Sequence, residues 1–194
     1  EINRDIIGEV TINDSPISFD NRLYFKIKRN KKINITCVNQ ELQNQSLNTL
    51  FVQDTALFNH VEISARNIDY NSIVKQDLVI LNQIDEVSSG LLNTLNKVLA
   101  IGGSIVILPP KAIDIKSYNR ILNQLNLNTI VSINNKELEI SNINIDHTLF
   151  NSVFEGKIDK INYPKTNHYS TTNNSIISTP VLSLENNKPF LSAY

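Results

Sequence analysis

Apolar and polar residues alternate along the beginning of the chain. The segments DIIGEVTIND and NRLYFKIK both show this period of two, which is typical of β-strands with one buried face. Asn, Asp and Pro residues separate the two segments and favour a turn between them. We therefore expect residues 1–31 to form an all-β segment, the end of a β-sandwich-like unit.

From residue 32 onward, strand-like and helix-like patterns alternate. INITCV, HVEISA, DLVILN and SIVILPP predict strands, and the last two are apolar enough to be buried on both faces of a parallel sheet. One of the helices between them is predicted to start after Ser88 or Ser89 and to stop at Gly102-Gly103. Strands that alternate with helices form βαβ units. The pattern predicts a doubly wound α/β domain with a mainly parallel sheet over residues 32–194.

The pattern changes again after about Thr129. TIVSINN and ELEISNINI predict two strands, joined as a hairpin at the favourable pair Asn134-Asn135. A short helix is predicted to begin at Asp146. TPVLSLENNKPFLSAY predicts a second hairpin that turns at Asn186-Asn187. We expect these C-terminal β-hairpins to follow the parallel sheet.

Charge and cysteine content argue against several classes of function. The chain has 18 Lys and Arg against 19 Asp and Glu, a net charge of −1, whereas a nucleic-acid-binding domain shows a basic excess. Cys37 is the only cysteine, which excludes an intramolecular disulfide, and we expect it to be a buried apolar residue. The three histidines do not show metal-ligand spacing. We expect no metal, no cofactor and no nucleic-acid partner.

The loops at the carboxyl ends of the predicted parallel strands are the places where a ligand would bind. These loops, 39–45, 82–87 and 109–114, contain no glycine and so lack a phosphate-binding fingerprint. A nucleophile elbow needs Ser or Cys after a strand, but Pro109-Pro110 follow SIVIL, and proline fixes φ and removes a backbone donor. We therefore predict no catalytic residue, and we place the candidate ligand crevice at Asn39, Asn82 and Pro109.

Several longer stretches resemble a known family. They are ISFDNRLYFKI, DLVILNQIDEVSSGLLNTLNKVLAIGGSIVILP, HTLFNSVFEGKIDKINYPKTNHYS and TPVLSLENNKPFLSAY, with fixed points such as Asp20-Asn21 and Gly102-Gly103. Together they resemble the extracytoplasmic region of Bat-type, aerotolerance-regulator-like bacterial membrane proteins over nearly the whole chain. The resemblance implies a flavodoxin-like, class I glutamine amidotransferase-like domain. Those enzymes use a cysteine at an elbow with histidine and glutamate; because this sequence has no such elbow, no catalytic residue is transferred to it.

The resemblance also implies where the protein acts. We expect a non-enzymatic, soluble module in the periplasm or another extracytoplasmic space, tethered to the inner membrane only by regions outside this chain. Its expected partners are other envelope or membrane proteins. The chain begins at Glu1 without an initiator Met and ends on an apolar run, so we expect a fragment that is truncated at its C-terminus.

Two alternative functions remain open from the sequence. The first is a sensory domain that binds a small ligand near Asn39 and Asn82. The second is a hydrolase whose active site is assembled by folding from Asp85, His147 or His168. Hydrogen bonds between any two of these three side chains would favour the hydrolase.

Overall fold

The computed structural model describes residues 5–12, 21–27, 31–40, 45–151, 153 and 162–194. In chain order, the elements are β1 (Ile6–Thr11), β2 (Arg22–Ile27), β3 (Ile33–Asn39), α1 (Gln45–Val52), β4 (Phe58–Ser64), α2 (Tyr70–Ile73), β5 (Leu78–Asn82), α3 (Ser89–Ala100), β6 (Ser104–Leu108), α4 (Ile115–Gln124), β7 (Ile130–Asn134), β8 (Leu138–Ile143), a 3-10 helix (Thr148–Phe150), β9 (Lys165–Thr166), β10 (Tyr169–Thr172), β11 (Thr179–Leu184) and β12 (Pro189–Ala193). The predicted turn between the first two strands, with Asp20, lies outside the described residues.

Strands β1 and β2 form an antiparallel two-stranded sheet, in agreement with the predicted all-β segment. The pairing places alternate residues of both strands on one face, which we call the apolar hairpin face. Its side chains are Ile6, Val10, Ile12, Leu23, Phe25 and Ile27. The opposite face is mixed, because it carries exposed Ile7 and Tyr24 beside an ion pair between Arg22 and Glu9, with Nε and Oε1 3.5 Å apart. The large apolar side chains of the hairpin are therefore concentrated on one of its two faces.

The central sheet has four parallel strands in the order β4-β3-β5-β6. The chain leaves β3 on one side to form β4, and it then crosses to the other side of β3 to form β5 and β6. The direction of winding therefore changes between β3 and β5. In open α/β sheets, ligands bind in the crevice at the carboxyl ends of the two strands that flank such a change.

Helices pack on both faces of the parallel sheet. On one face, α3 forms a buried core with apolar side chains of β3 and β5, including Val38, Val79, Leu81, Leu91, Leu95 and Val98. On the other face, α1 contributes Leu47 and Phe51, which pack against Ile35, Cys37 and Ile80. This is a mixed α/β architecture with a parallel sheet, as the alternating pattern predicts.

The limits of α3 follow its sequence signals. The Ser88 hydroxyl accepts a hydrogen bond from the Leu91 N–H at 3.1 Å, so Ser88, and not Ser89, is the N-cap. Gly102 follows the helix with φ +88°, a left-handed conformation that glycine adopts without a steric penalty.

The C-terminal strands pair differently from the prediction in one respect. The hairpin of β11 and β12 is confirmed, and Asn187 in its turn has φ +61°. The hairpin predicted at Asn134-Asn135 is wrong, because β7 pairs with β10, whereas β8 pairs with β11 and β9. The two strands belong to separate cores: Ile130 of β7 packs against α4, and Leu138 of β8 packs with Leu184 of β11.

Two further observations complete the architecture. The short helix predicted to begin at Asp146 is a 3-10 helix whose N-cap is His147, since the His147 Nδ1 accepts a hydrogen bond from the Leu149 N–H at 3.2 Å. Nowhere in the described ranges does a helix combine the length and the apolar content that a membrane span requires.

Candidate functional site

The carboxyl ends of the parallel strands place Ser64, Asn39, Asn82 and Leu108 side by side, in that order across the sheet. Two of the three predicted crevice residues, Asn39 and Asn82, are therefore direct neighbours. The third, Pro109, comes one residue after this row and is exposed. Asn39 and Asn82 end the two strands between which the direction of winding changes, whereas Pro109 follows β6, the next strand after β5.

A hydrogen bond joins the two asparagines across the crevice. The Asn82 Nδ2 donates to the Asn39 Oδ1 at 2.8 Å, and the two residues are only 7% and 1% exposed. The main chain continues this link, because the Gln40 N–H donates to the Asn82 carbonyl at 3.2 Å. Buried amides that bond to each other in this way hold the ends of β3 and β5 together.

Glu62 joins the asparagine pair from the neighbouring strand β4. The Asn39 Nδ2 donates to the Glu62 Oε2 at 3.2 Å, and the Cys37 thiol donates to the Asn39 Oδ1 at 3.3 Å. The other oxygen of Glu62, Oε1, is buried and accepts no hydrogen bond from the residues that the structure describes. We call Cys37, Asn39, Glu62 and Asn82 the switch-point cluster.

The cluster does not turn Cys37 into a nucleophile. Burial of the thiol and, to a lesser extent, the negative charge of Glu62 raise the pKa of Cys37 to about 11, and the hydrogen bond to Asn39 only partly opposes this. A thiol with so high a pKa stays protonated at neutral pH, whereas the thiolate is the reactive form. Cys37 is also fully buried, as expected from its place among apolar residues.

The backbone directly after Asn82 is strained. Gln83 has φ +54°, a left-handed conformation that is uncommon for residues other than glycine, asparagine and aspartate. Its N–H donates to the Leu108 carbonyl at 2.8 Å, which fixes this conformation against the end of β6. Strain of this kind persists only where the surroundings determine it, and it is frequent at ligand-binding sites.

The end of β6 carries no hydroxyl or thiol nucleophile of the kind that an elbow enzyme uses. Leu108 is followed by Pro109-Pro110, neither of which has an N–H, so neither can contribute to an oxyanion hole. The next residues, Lys111 and Ala112, carry neither a hydroxyl nor a thiol.

The three residues of the hydrolase hypothesis lie in separate surroundings. Asp85 follows β5, where its N–H donates to the Gln40 Oε1 at 3.4 Å. The His147 ring caps the 3-10 helix, and the His168 Nδ1 lies 2.6 Å from the Asn135 Oδ1. No hydrogen bond among the described residues connects any two of these three side chains, so the hydrolase hypothesis gains no support.

Two members of the site were not predicted. Glu62 could have been found, because the period of two in HVEISA places His60, Glu62 and Ser64 on one face of a strand that is otherwise apolar. The left-handed conformation of Gln83 has no signal in the sequence, since glutamine has no preference for it.

The sequence matches no protein-family model and no curated protein. Solved structures nevertheless resemble the fold. A cytoplasmic protein of Salmonella typhimurium has a TM-score of 0.55 at 10% sequence identity, with 97% of this chain and 79% of that one covered. The likeness to the Salmonella protein shows a shared fold. A ThuA-like protein from Bacteroides uniformis has a TM-score of 0.49 at 10% identity, with 79% of this chain and 68% of that one covered.

Proposed function

We propose that this chain is a non-catalytic interaction module of a Bat-type bacterial envelope protein. The order β4-β3-β5-β6 corresponds to the first four strands of a flavodoxin-like sheet, which supports the proposed amidotransferase-like domain. The sequence resemblance extends over nearly the whole chain. In this proposal the module lies outside the cytoplasm, is tethered to the inner membrane by regions outside this chain, and contacts other envelope or membrane proteins.

The apolar hairpin face is the observation that carries this proposal. Its six side chains are between 39% and 67% exposed, although they lie together on one face of β1 and β2. An isolated two-stranded hairpin is at best marginally stable in water, and contiguous exposed apolar patches mark interaction sites. A protein surface packed on this face would bury these side chains and stabilise the hairpin.

The switch-point cluster and the end of β6 support the non-catalytic part of the proposal. Cys37 is buried with a raised pKa, and Pro109-Pro110 occupy the position where an elbow enzyme has its nucleophile. A panel of amide, ester and phosphate substrates incubated with the purified chain tests this part. Turnover that disappears on substitution of a single polar residue would contradict it.

Site-specific photo-crosslinking tests the contact surface. Leu23 and Tyr24 are adjacent in β2 and almost equally exposed, at 67% and 64%, but they point to opposite faces of the hairpin. We expect a photoreactive phenylalanine analogue at position 23 of the full-length protein to crosslink to another envelope protein in living cells. The same analogue at position 24 is the matched control and should give little product.

Equal crosslinking at positions 23 and 24 would contradict the proposed contact surface. Fractionation of the same cells tests the location separately, because the full-length protein should sediment with the inner membrane. Recovery of the protein in the cytosolic fraction would contradict the envelope assignment. The proposed contact surface would then still be tested by the crosslinking at positions 23 and 24.

A second candidate function is the binding of a small ligand in the crevice at Asn39 and Asn82. The specific observation in its favour is that these buried amides meet where the winding direction changes, beside the strained Gln83. A native-state ligand raises the unfolding temperature, so a small-molecule screen by thermal shift tests this candidate. Hits should lose their effect in Asn82→Ala and keep it in Asn59→Ala, an exposed asparagine of β4.

A further inference from the structure

We propose that the crevice at the switch-point cluster selects a small molecule that carries a protonated amine, with Glu62 as its counter-ion. This inference rests on the ligand-binding candidate above, and it adds the chemical class of the ligand. It is drawn from the bonding of the Glu62 carboxylate, from the charge of the surrounding loops, and from the buried amide groups next to Glu62.

The Glu62 carboxylate lacks the partners that a shielded charge requires. The only described residue that donates a hydrogen bond to it is Asn39, whose side-chain amide is neutral. Its second oxygen, Oε1, is buried and has no hydrogen-bond partner among the described residues. No described lysine or arginine forms an ion pair with it. Because a carboxylate shielded from water is stabilised by a cation or by several donors, a cationic ligand beside Glu62 would supply what the protein does not.

The loops around the crevice carry an excess of negative charge. The described residues after β4, β5 and β6 include acidic side chains, which are Asp69, Asp85, Glu86 and Asp114, and fewer basic ones, which are Arg66 and Lys111. Glu62 adds a further negative charge at the end of β4. A negatively charged edge of the sheet attracts small cations and repels anions. Phosphorylated or carboxylated ligands are therefore disfavoured at this edge.

The asparagine pair adds neutral hydrogen-bonding groups next to the charge. The Asn82 Nδ2 uses one N–H for its bond to Asn39, and an amide group has a second N–H and a carbonyl oxygen. Asn39 is likewise an amide that bonds Glu62 through one N–H. A ligand with an ammonium group for Glu62 and a hydroxyl or carbonyl group for Asn82 therefore matches the crevice.

A titration with two molecules of equal length tests the inference. Ethanolamine is protonated at neutral pH, whereas ethylene glycol has a hydroxyl in place of the ammonium group. We would follow the side-chain amide signals of Asn39 and Asn82 by NMR at constant ionic strength, in the full chain and in Glu62→Gln. The exposed acid Glu86, at the same end of the sheet, gives the matched control Glu86→Gln.

We expect saturable shifts with ethanolamine, binding weaker by about 30-fold or more in Glu62→Gln, and no more than about a twofold change in Glu86→Gln. If ethylene glycol binds as tightly as ethanolamine, or if Glu62→Gln has no effect, the amine inference is wrong while the ligand site stands. If neither molecule moves the amide signals, the amine inference is wrong, and the thermal-shift screen decides separately whether the ligand-binding candidate stands. If Glu62→Gln does not fold, the amine inference is tested by comparing the binding of ethanolamine and ethylene glycol to the unaltered chain.

Discussion

Removal of the Asn39 side chain should destabilise the protein far more than removal of its partner Asn82. Asn39 is 1% exposed and bonds three side chains, those of Cys37, Glu62 and Asn82. In Asn39→Ala, both the Asn82 amide and the Glu62 carboxylate lose a partner in a shielded environment. In Asn82→Ala, the Asn39 oxygen still accepts the hydrogen bond from the Cys37 thiol.

The difference can be estimated from the groups left without a partner. Each buried polar group that loses its hydrogen bond costs about 1–3 kcal/mol, and charged groups lie at the upper end. We therefore expect Asn39→Ala to lower the free energy of unfolding by about 3–5 kcal/mol and Asn82→Ala by about 1–2 kcal/mol. The double variant should lose about 1–2 kcal/mol less than the sum of the two single losses. The reason is that each single variant already breaks the bond between the two asparagines, so the sum counts this bond twice.

Urea denaturation followed by circular dichroism measures these changes. With a slope of about 2–3 kcal/mol per molar urea, Asn39→Ala should shift the midpoint by about 1.5 M. Asn59→Ala is the control: this exposed side chain donates one hydrogen bond to Asn34, and we expect a loss below about 0.5 kcal/mol. If Asn39→Ala is no worse than this control, or if the double variant is strictly additive, the network does not hold the ends of β3 and β5 together.

Three further predictions concern the thiol and the limits of α3. The pKa of Cys37 is raised from 9.0 to about 11, so the unfolded chain loses this proton first, and the free energy of unfolding should fall by about 2 kcal/mol as the pH rises from 9 to about 11. Denaturation curves at several pH values should show this part of the fall in the unaltered chain and not in Cys37→Ala; the same slope in both would refute it. Ser88→Ala removes the N-cap of α3 and should cost about 1 kcal/mol, whereas Ser89→Ala should cost below about 0.5 kcal/mol, and equal thermal shifts would contradict the assigned cap. Gly102→Ala should cost about 1 kcal/mol from backbone strain alone, because no atom lies within 4 Å of the added methyl group; an unchanged unfolding temperature would argue against the left-handed φ.

The elements that could be predicted from the sequence are those whose signals are local. The alternation in β1 and β2, the apolar runs of β5 and β6, and the glycine that ends α3 each act within a few residues. The prediction of a hairpin at Asn134-Asn135 was wrong because it used only a local signal. A turn preference cannot reveal that the partner of β7 is β10, more than thirty residues away. Strand partners depend on which core each strand completes.

The candidate site was predictable to a similar degree. Asn39 and Asn82 could be placed at one edge of the sheet, because parallel strands end together and both residues close a strand. The bond between them required the strand order, which the sequence leaves open. Glu62 was visible in the alternation of β4, but its contact with Asn39 depends on β4 lying beside β3.

The central position of β3 has a consequence for synthesis of the chain on the ribosome. Among the strands of the parallel sheet, β3 is the first to be translated, and both of its edges remain unpaired until β4 and later β5 have emerged. During that interval the nascent segment INITCV exposes an apolar, uncharged stretch of the kind that pairs with other chains. Slow translation between β3 and β5 should therefore increase aggregation, whereas slow translation after β5 should have little effect.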